Sequence, residues 1–204
     1  MQPPKPKIIL ASSSPRRAEL LRDLGVEFDV APSRISERPH PDEAPPDYIT
    51  RLARAKVIAA ARSRDEGLVI GADTVVVLNS RLMGKPRDEQ DAAQMLRDLS
   101  GKWHAVMTGV ALYDVATRNE VADYEKTLVR FAQMSNEEID WYVATREPMD
   151  KAGAYGIQGY GGMFVEEIAG NYYNVVGLPV PLVYRLARRL GYSFLATTVS
   201  AGIE

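Results

Sequence analysis

Leu68-Val69-Ile70-Gly71-Ala72-Asp73-Thr74-Val75-Val76-Val77-Leu78 is the stretch on which the fold turns. Its Val, Ile and Leu content marks a strand made for burial, interrupted at Gly71-Ala72-Asp73-Thr74. Just upstream, Tyr48 to about Arg64 repeats apolar residues at helical spacing through Ile49, Leu52, Ala53, Val57 and Ala60. Downstream, Asp88 to Leu99 reads as a helix, and Trp103 to Tyr113 and Val121 to Phe131 alternate like two antiparallel strands. Lys7 to Ala11 reads as a buried first strand, followed by Ser12-Ser13-Ser14 as N-cap candidates. Pro15 opens a helix with Leu20, Leu21 and Leu24 on one face, stopping at Gly25. Phe28 to Ala31 is a second strand, and residues 32–46, with Pro32, Pro39, Pro41, Pro45 and Pro46, form a loop. Ser135 and Glu138 spell a capping box at the next helix. A Gly-rich stretch from Gly153 to Gly162 then leads to a strand near Phe164 to Ile168. A last amphipathic helix spans about Pro181 to Leu190, with a frayed tail after Tyr192. Strands and helices mix without a simple βαβ repeat. The expectation is an α/β fold with a mixed, curved sheet flanked by helices, in one domain whose core covers about residues 7–190.

Composition narrows the function classes. Of the 204 residues, 46% are hydrophobic and 25% charged, as in ordinary folded chains. The formal net charge of -2 offers no general attraction to a polyanion, so a nucleic-acid polymer is not an expected partner. Cysteine is absent, which removes disulfides and thiolate metal sites, and His40 and His104 form no zinc spacing. The apolar run Ile8-Ile9-Leu10-Ala11 is too short for a signal peptide or a membrane span, so no membrane association and a cytoplasmic location are expected.

Four stretches carry polar residues where a core would not ask for them. Ala11-Ser12-Ser13-Ser14-Pro15-Arg16-Arg17 runs a strand directly into a helix start, whose unpaired N–H groups and positive dipole suit an anion. Arg16 and Arg17 add planar donors for phosphate oxygens, the alternative being an N-cap with solvent-facing arginines. Asp73 is a carboxylate inside a burial strand, costly unless it is paired or binds a metal; otherwise it is a satisfied structural residue beside a bulge at Gly71. Gly84-Lys85-Pro86 is a turn bearing one lysine. Asp150-Lys151-Ala152-Gly153-Ala154-Tyr155-Gly156-Ile157-Gln158-Gly159 combines small residues, which let a backbone approach a ligand, with Lys151 and Gln158, or else is a mobile glycine loop.

These stretches, with Arg51-Leu52-Ala53-Arg54-Ala55-Lys56 and Asn174-Val175-Val176-Gly177-Leu178-Pro179, resemble the Maf family, and they keep its order from Lys7 to Leu190. The resemblance implies an elongated, two-lobed α/β fold related to that of inosine triphosphate pyrophosphatases. It also implies a nucleotide pyrophosphatase in which water attacks the α-phosphorus and diphosphate leaves, with Mg²⁺ or Mn²⁺ required. Carried over by position, Asp73 is the catalytic acid/base and a metal ligand, and Glu37 is a second metal ligand. Arg17, Lys56 and Lys85 engage the triphosphate, while Ser12 and Lys151 also fall in substrate-binding stretches. The long Asp-Lys-Ala-Gly-Ala-Tyr-Gly-Ile-Gln-Gly form resembles the branch acting on dTTP and UTP. In that branch Arg16, Thr74 and Gln158 match the positions that set substrate preference. A sister branch prefers 7-methylguanosine triphosphate, and the family's link to septum formation offers a non-catalytic alternative. Relatives suggest a homodimer.

Overall fold

A computed structural model of the chain describes residues 7–194. The expected fraying of the tail lies almost wholly outside the described residues. Seven strands, six α-helices and three short 3-10 turns follow one another in irregular order along the described chain. The strands are β1 (Ile8–Leu10), β2 (Phe28–Val30), β3 (Leu68–Leu78), β4 (Arg81–Met83), β5 (Trp103–Asp114), β6 (Asn119–Phe131) and β7 (Val165–Ala169). The helices are α1 (Pro15–Asp23), α2 (Pro45–Ala61), α3 (Glu89–Leu99), α4 (Asn136–Ala144), α5 (Tyr172–Val176) and α6 (Val180–Arg189). Hydrogen bonding orders the sheet β2-β1-β3-β5-β6-β7, with β4 paired to β3. β1 is parallel to both β2 and β3, with Leu10 opposite Val30 and Ile70. β3–β4 and β6–β7 are antiparallel. The sheet is therefore mixed, as expected of strands and helices that follow no simple βαβ repeat.

The local chemistry explains most boundaries. Pro15 stands in the first turn of α1, where its missing N–H costs nothing. The Ser135–Glu138 capping box forms in full: the Ser135 hydroxyl accepts from the Glu138 N–H at 3.2 Å, and Glu138 accepts from the Ser135 N–H at 2.7 Å. Asp88 caps α3 by accepting from the Asp91 N–H. Three expectations need correcting. α2 begins at Pro45 and not near Tyr48, because Pro45 and Pro46 occupy the first helical turn, where their φ suits the helix. β3 runs through Asp73 unbroken, because the partners that stabilise Gly71 and Asp73 are supplied by α2. Leu24 is exposed, while Arg17 and Ala18 join Leu20 and Leu21 on the buried face of α1. In addition, β5 is buried nearly throughout and does not alternate; a strand between β3 and β6, apolar on both faces, reads that way.

The chain divides into two compact units. One draws on the described residues of 1–73, 109–124 and 177–204, the other on 74–108 and 125–176; β3, β5 and β6 each contribute residues to both. In the first unit, Ile9, Ala53, Val57, Val69 and Ala111 pack together. In the second, α3 buries Ala92, Met95, Leu96 and Leu99 on one face against Val76, Met83, Val129, Phe131 and Tyr142. His104 belongs to this second core. It stacks edge-on against Phe131 and Tyr155, and its Nε2 lies 2.8 Å from the Tyr155 hydroxyl. Burial pulls its pKa down to about 4, which keeps it neutral.

Candidate active site

In the first unit, the β1–α1 junction is drawn onto β3. Ser12 is buried, and its hydroxyl accepts from the Ser14 N–H at 3.2 Å and from Arg17 Nη1 at 3.1 Å. Arg17 also donates from Nη1 to the Ala72 carbonyl at 2.8 Å and from Nε to the Gly177 carbonyl at 2.7 Å. The guanidinium thus braces the backbone immediately before Asp73 and at the start of Gly177-Leu178-Pro179. Burial lowers its pKa; Asp73 opposes that, Arg16 adds to it, and Glu37 opposes it again.

Asp73 is reached from the other direction by α2. Residues 71 and 73 share one face of β3. A Cβ on Gly71 would lie 2.7 Å from Val57 Cγ1 and 2.9 Å from the Ala53 carbonyl oxygen, so the bare glycine lets α2 settle directly on the strand. That contact delivers Lys56 to Asp73, with Nζ 2.5 Å from Oδ1. The same Nζ lies 2.8 Å from Glu37 Oε1. The Lys56 and Asp73 side chains are only 11% and 12% exposed, whereas Glu37 is 54% exposed, so one partner of the lysine is buried and the other faces solvent.

The proline-rich loop presents Glu37 because α2 holds it from below. Tyr48 donates its hydroxyl to the Glu37 carbonyl at 2.7 Å, and its own pKa is pushed up to about 12 by burial and by the negative charges of Asp73 and Glu37. Arg51 grips Glu43 bidentately, at 2.5 Å and 2.6 Å, and donates to the Arg38 carbonyl. The Arg51 bond holds Glu43 near pKa 2. Tyr48 and the Arg51–Glu43 pair are supports of the Glu37 loop that reading the sequence missed. Arg51 lies inside a family motif, but nothing along the chain names its partner.

Glu37 and Asp73 aim hard carboxylate oxygens at one cationic position, which Lys56 fills. This donor set suits a divalent cation that takes one or two carboxylates and completes its shell with phosphate oxygens and water. No group of three or more His, Cys, Asp or Glu gathers among the described residues.

In the second unit, Thr74 Oγ1 lies 3.0 Å from Thr108 Oγ1, and Thr108 donates to the Asn174 carbonyl at 3.2 Å. Asn174 is fully buried and donates its amide to the Val106 carbonyl and to Thr127 Oγ1. The Gly84 carbonyl accepts from the Gly153 N–H at 3.0 Å, tying the Gly84-Lys85-Pro86 turn to the Gly-rich segment; Lys85 itself is exposed. Lys151 turns inward, donating to the Glu147 carbonyl and to Asp150 Oδ1, both at 2.6 Å. Gln158 is exposed, and no hydrogen bond to its amide is present among the described residues. The structure therefore joins Ser12, Arg17, Lys56, Asp73 and Glu37 in one unit. In the other it ties the turn before Lys85 to the segment bearing Gln158.

The Maf-like protein family model matches residues 7–190. The chain belongs to the Maf family. A protein from Geobacter sulfurreducens named dTTP/UTP pyrophosphatase is 52% identical, over 92% of this chain and 98% of that protein. Proteins of the same name from Bacillus cytotoxicus and Caldicellulosiruptor saccharolyticus are 50% and 44% identical, over 90% and 93% of this chain and 94% and 97% of theirs. The Staphylococcus aureus Ham1 protein superposes with a TM-score of 0.48 at 12% identity, over 95% of this chain and 94% of that one. The six Maf-like motifs fall on the β1–α1 junction, α2, β3, the turn after β4, the Gly-rich turns and α5 into α6. No helix of the described residues is long and apolar enough to cross a membrane.

Proposed function

We propose that this chain is a nucleoside triphosphate pyrophosphatase that hydrolyses dTTP and UTP to the monophosphate and diphosphate. The observation that carries the reading is the buried Asp73 carboxylate on β3, flanked by Lys56, Arg17 and the half-exposed Glu37. Relatives 44–52% identical and named dTTP/UTP pyrophosphatase supply the substrate class.

The chemistry follows from what these groups can do. Asp73 accepts a hydrogen bond from water and takes its proton as the water oxygen bonds to the α-phosphorus. The bond from that phosphorus to the bridging oxygen breaks, and diphosphate departs with the electron pair. In this reading Lys56 and Arg17 meet the negative charge that accumulates on the leaving group, and fixed cationic donors lower the barrier. Lys85 adds a further cation for the triphosphate, with Ser12 supporting Arg17. Asp73 and Glu37 would hold Mg²⁺ or Mn²⁺, whose charge would offset that of the phosphates. Arg16, Thr74 and Gln158 set base preference. Gln158 offers one acceptor and two donors, matching the N3–H and O4 of uracil or thymine, whereas cytosine reverses that pattern. A homodimer acting in the cytoplasm belongs to the same reading, as does the absence of a nucleic-acid polymer as partner, which the net charge of -2 supports.

Side-by-side turnover of dTTP, UTP, CTP and 7-methylguanosine triphosphate, with and without a chelator, tests this reading. It expects dTTP and UTP to lead CTP by about ten-fold or more, the worth of one buried polar group left unpaired. It also expects loss of activity with chelator and recovery with Mg²⁺ or Mn²⁺. Preference for the methylated guanosine nucleotide, or full activity in chelator, would overturn it.

A further inference from the structure

The glycines between Gly153 and Gly162 invite the reading that the backbone is cleared for a ligand. The structure shows much of that clearance filled by the protein's own side chains. Glu147, in the turn just after α4, accepts at Oε1 from the Tyr142 hydroxyl at 2.7 Å and from the Gly161 N–H at 3.1 Å. Its Oε2 accepts from the Tyr160 N–H at 2.9 Å. The Tyr142 hydroxyl in turn accepts from the Gly156 N–H at 3.1 Å. A Cβ at Gly159 would collide with the Glu147 carboxylate, and one at Gly161 with the Tyr142 hydroxyl. At Gly156 a Cβ would lie 2.6 Å from Lys151 Cε, and Lys151 is itself bonded to the Glu147 carbonyl. Three glycines are thus explained by an internal carboxylate, a tyrosine and a lysine.

We infer that Glu147 is a positioning residue for base recognition: its carboxylate is the anchor around which the 156–161 arc folds, and Tyr142 and Lys151 complete that anchor. The arc is tethered at Gly156 through Tyr142 and at Tyr160 through Glu147, and Gln158 is the midpoint between these tethers, exposed and with no amide partner among the described residues. Among the described residues no hydrogen bond holds the Gln158 amide, so the placement of the side chain comes from the backbone under it. Lys151 serves as a brace under the arc in this arrangement. The inference rests on the reading above in which Gln158 meets the base. Holding the arc in one conformation spares substrate binding the cost of ordering it. Loss of the anchor should therefore weaken nucleotide binding and base choice more than the chemical step.

The test compares Glu147→Gln, Tyr142→Phe and Gln158→Ala in steady-state turnover of UTP and CTP, with hydrogen exchange at the Gly156, Tyr160 and Gly161 amides. Glutamine at 147 keeps the shape but turns an N–H toward a backbone N–H. Glu147→Gln is expected to raise the UTP KM roughly ten-fold with kcat within about two-fold, and to erode the UTP-over-CTP preference toward that of Gln158→Ala. Tyr142→Phe should act in the same direction, and it decides alone if Glu147→Gln does not fold. An unchanged UTP KM and base preference in the folded variants, beside a changed Gln158→Ala, overturns the positioning role. So does an equal fall of kcat on both bases with KM unmoved, the mark of a general structural loss. An unchanged preference in Gln158→Ala instead removes the base-reading role of Gln158. Amide exchange then decides for the anchor: faster exchange at Tyr160 and Gly161 in Glu147→Gln supports it, and unaltered exchange overturns it.

Discussion

Lys56 carries one positive charge and lies within ion-pair distance of two carboxylates, one buried and one half exposed. Removing the lysine leaves Asp73 as a buried charge without its nearest counter-ion. Breaking one side of a buried pair costs several kcal/mol, because the remaining ion keeps its desolvation penalty. Lys56→Met should therefore destabilise the fold by about 3 kcal/mol or more in urea unfolding, and adding Asp73→Asn should restore much of that loss. A double variant no more stable than Lys56→Met would show that the pair is energetically idle. Asp73 itself was legible in the sequence, since a carboxylate in a run of Val and Ile demands an explanation. Lys56 reads along the chain only as a phosphate-binding cation, and its direct contact with Asp73 is invisible there. That contact joins residues seventeen apart along the chain and depends on α2 meeting β3 at Gly71, which no local pattern encodes.

Elements with chemical punctuation could be read in advance. α1 announces itself by Pro15, α3 by Asp88 and α4 by its Ser135–Glu138 box. β4 could not, because the Asn79-Ser80 turn depends on positive φ at two residues that are not glycine. Gly71 and Asp73 misread as an interruption of β3, since local propensity counts them as poor strand residues while packing and an ion pair outweigh that. Gly71→Ala tests how closely α2 is seated. The new methyl meets Val57 and the Ala53 carbonyl, and overpacking of this kind costs about 1–3 kcal/mol. Because α2 carries Lys56, UTP turnover should fall as well, and an alanine variant with unchanged melting and activity would contradict the close seating. The loop carrying Glu37 has its own signature in acid. Glu43 titrates near 2 in the fold against 4.5 when unperturbed, because Arg51 bonds to its charged form. Its contribution is therefore fully present above about pH 4.5 and is lost as pH falls toward 2. The stability difference between wild type and Glu43→Gln should be flat from pH 7 to 5 and shrink below that. A difference that stayed constant to pH 3 would show that the Arg51–Glu43 pair does not anchor the loop.

Across the whole molecule, acid stability should decline in two stages. His104 is neutral in the folded chain down to about pH 4 and unperturbed at 6.5, so the unfolded state takes up its proton first. Stability should fall between pH 6.5 and 4 on this account, a stage that His104→Gln should remove. Below 4.5 the carboxylates held near 2, Glu43 by Arg51 and Asp91 by Arg87, add the second stage. The second stage also reaches the loop that carries Glu37, because Glu43 ties that loop to α2 through Arg51. Membership of the Maf family, a buried Asp73 flanked by cations and relatives named for dTTP and UTP all converge on one reaction. The measurement that tests it most directly is phosphorus NMR of the products from UTP with Mg²⁺, for wild type and for folded Asp73→Asn. Asparagine is nearly isosteric but cannot take the water's proton, and general-base catalysis alone contributes about 10²–10⁴-fold. The account predicts uridine monophosphate and diphosphate from wild type, and a rate at least about 10²-fold lower from the variant. Uridine diphosphate with orthophosphate, or near wild-type turnover by Asp73→Asn, would contradict it.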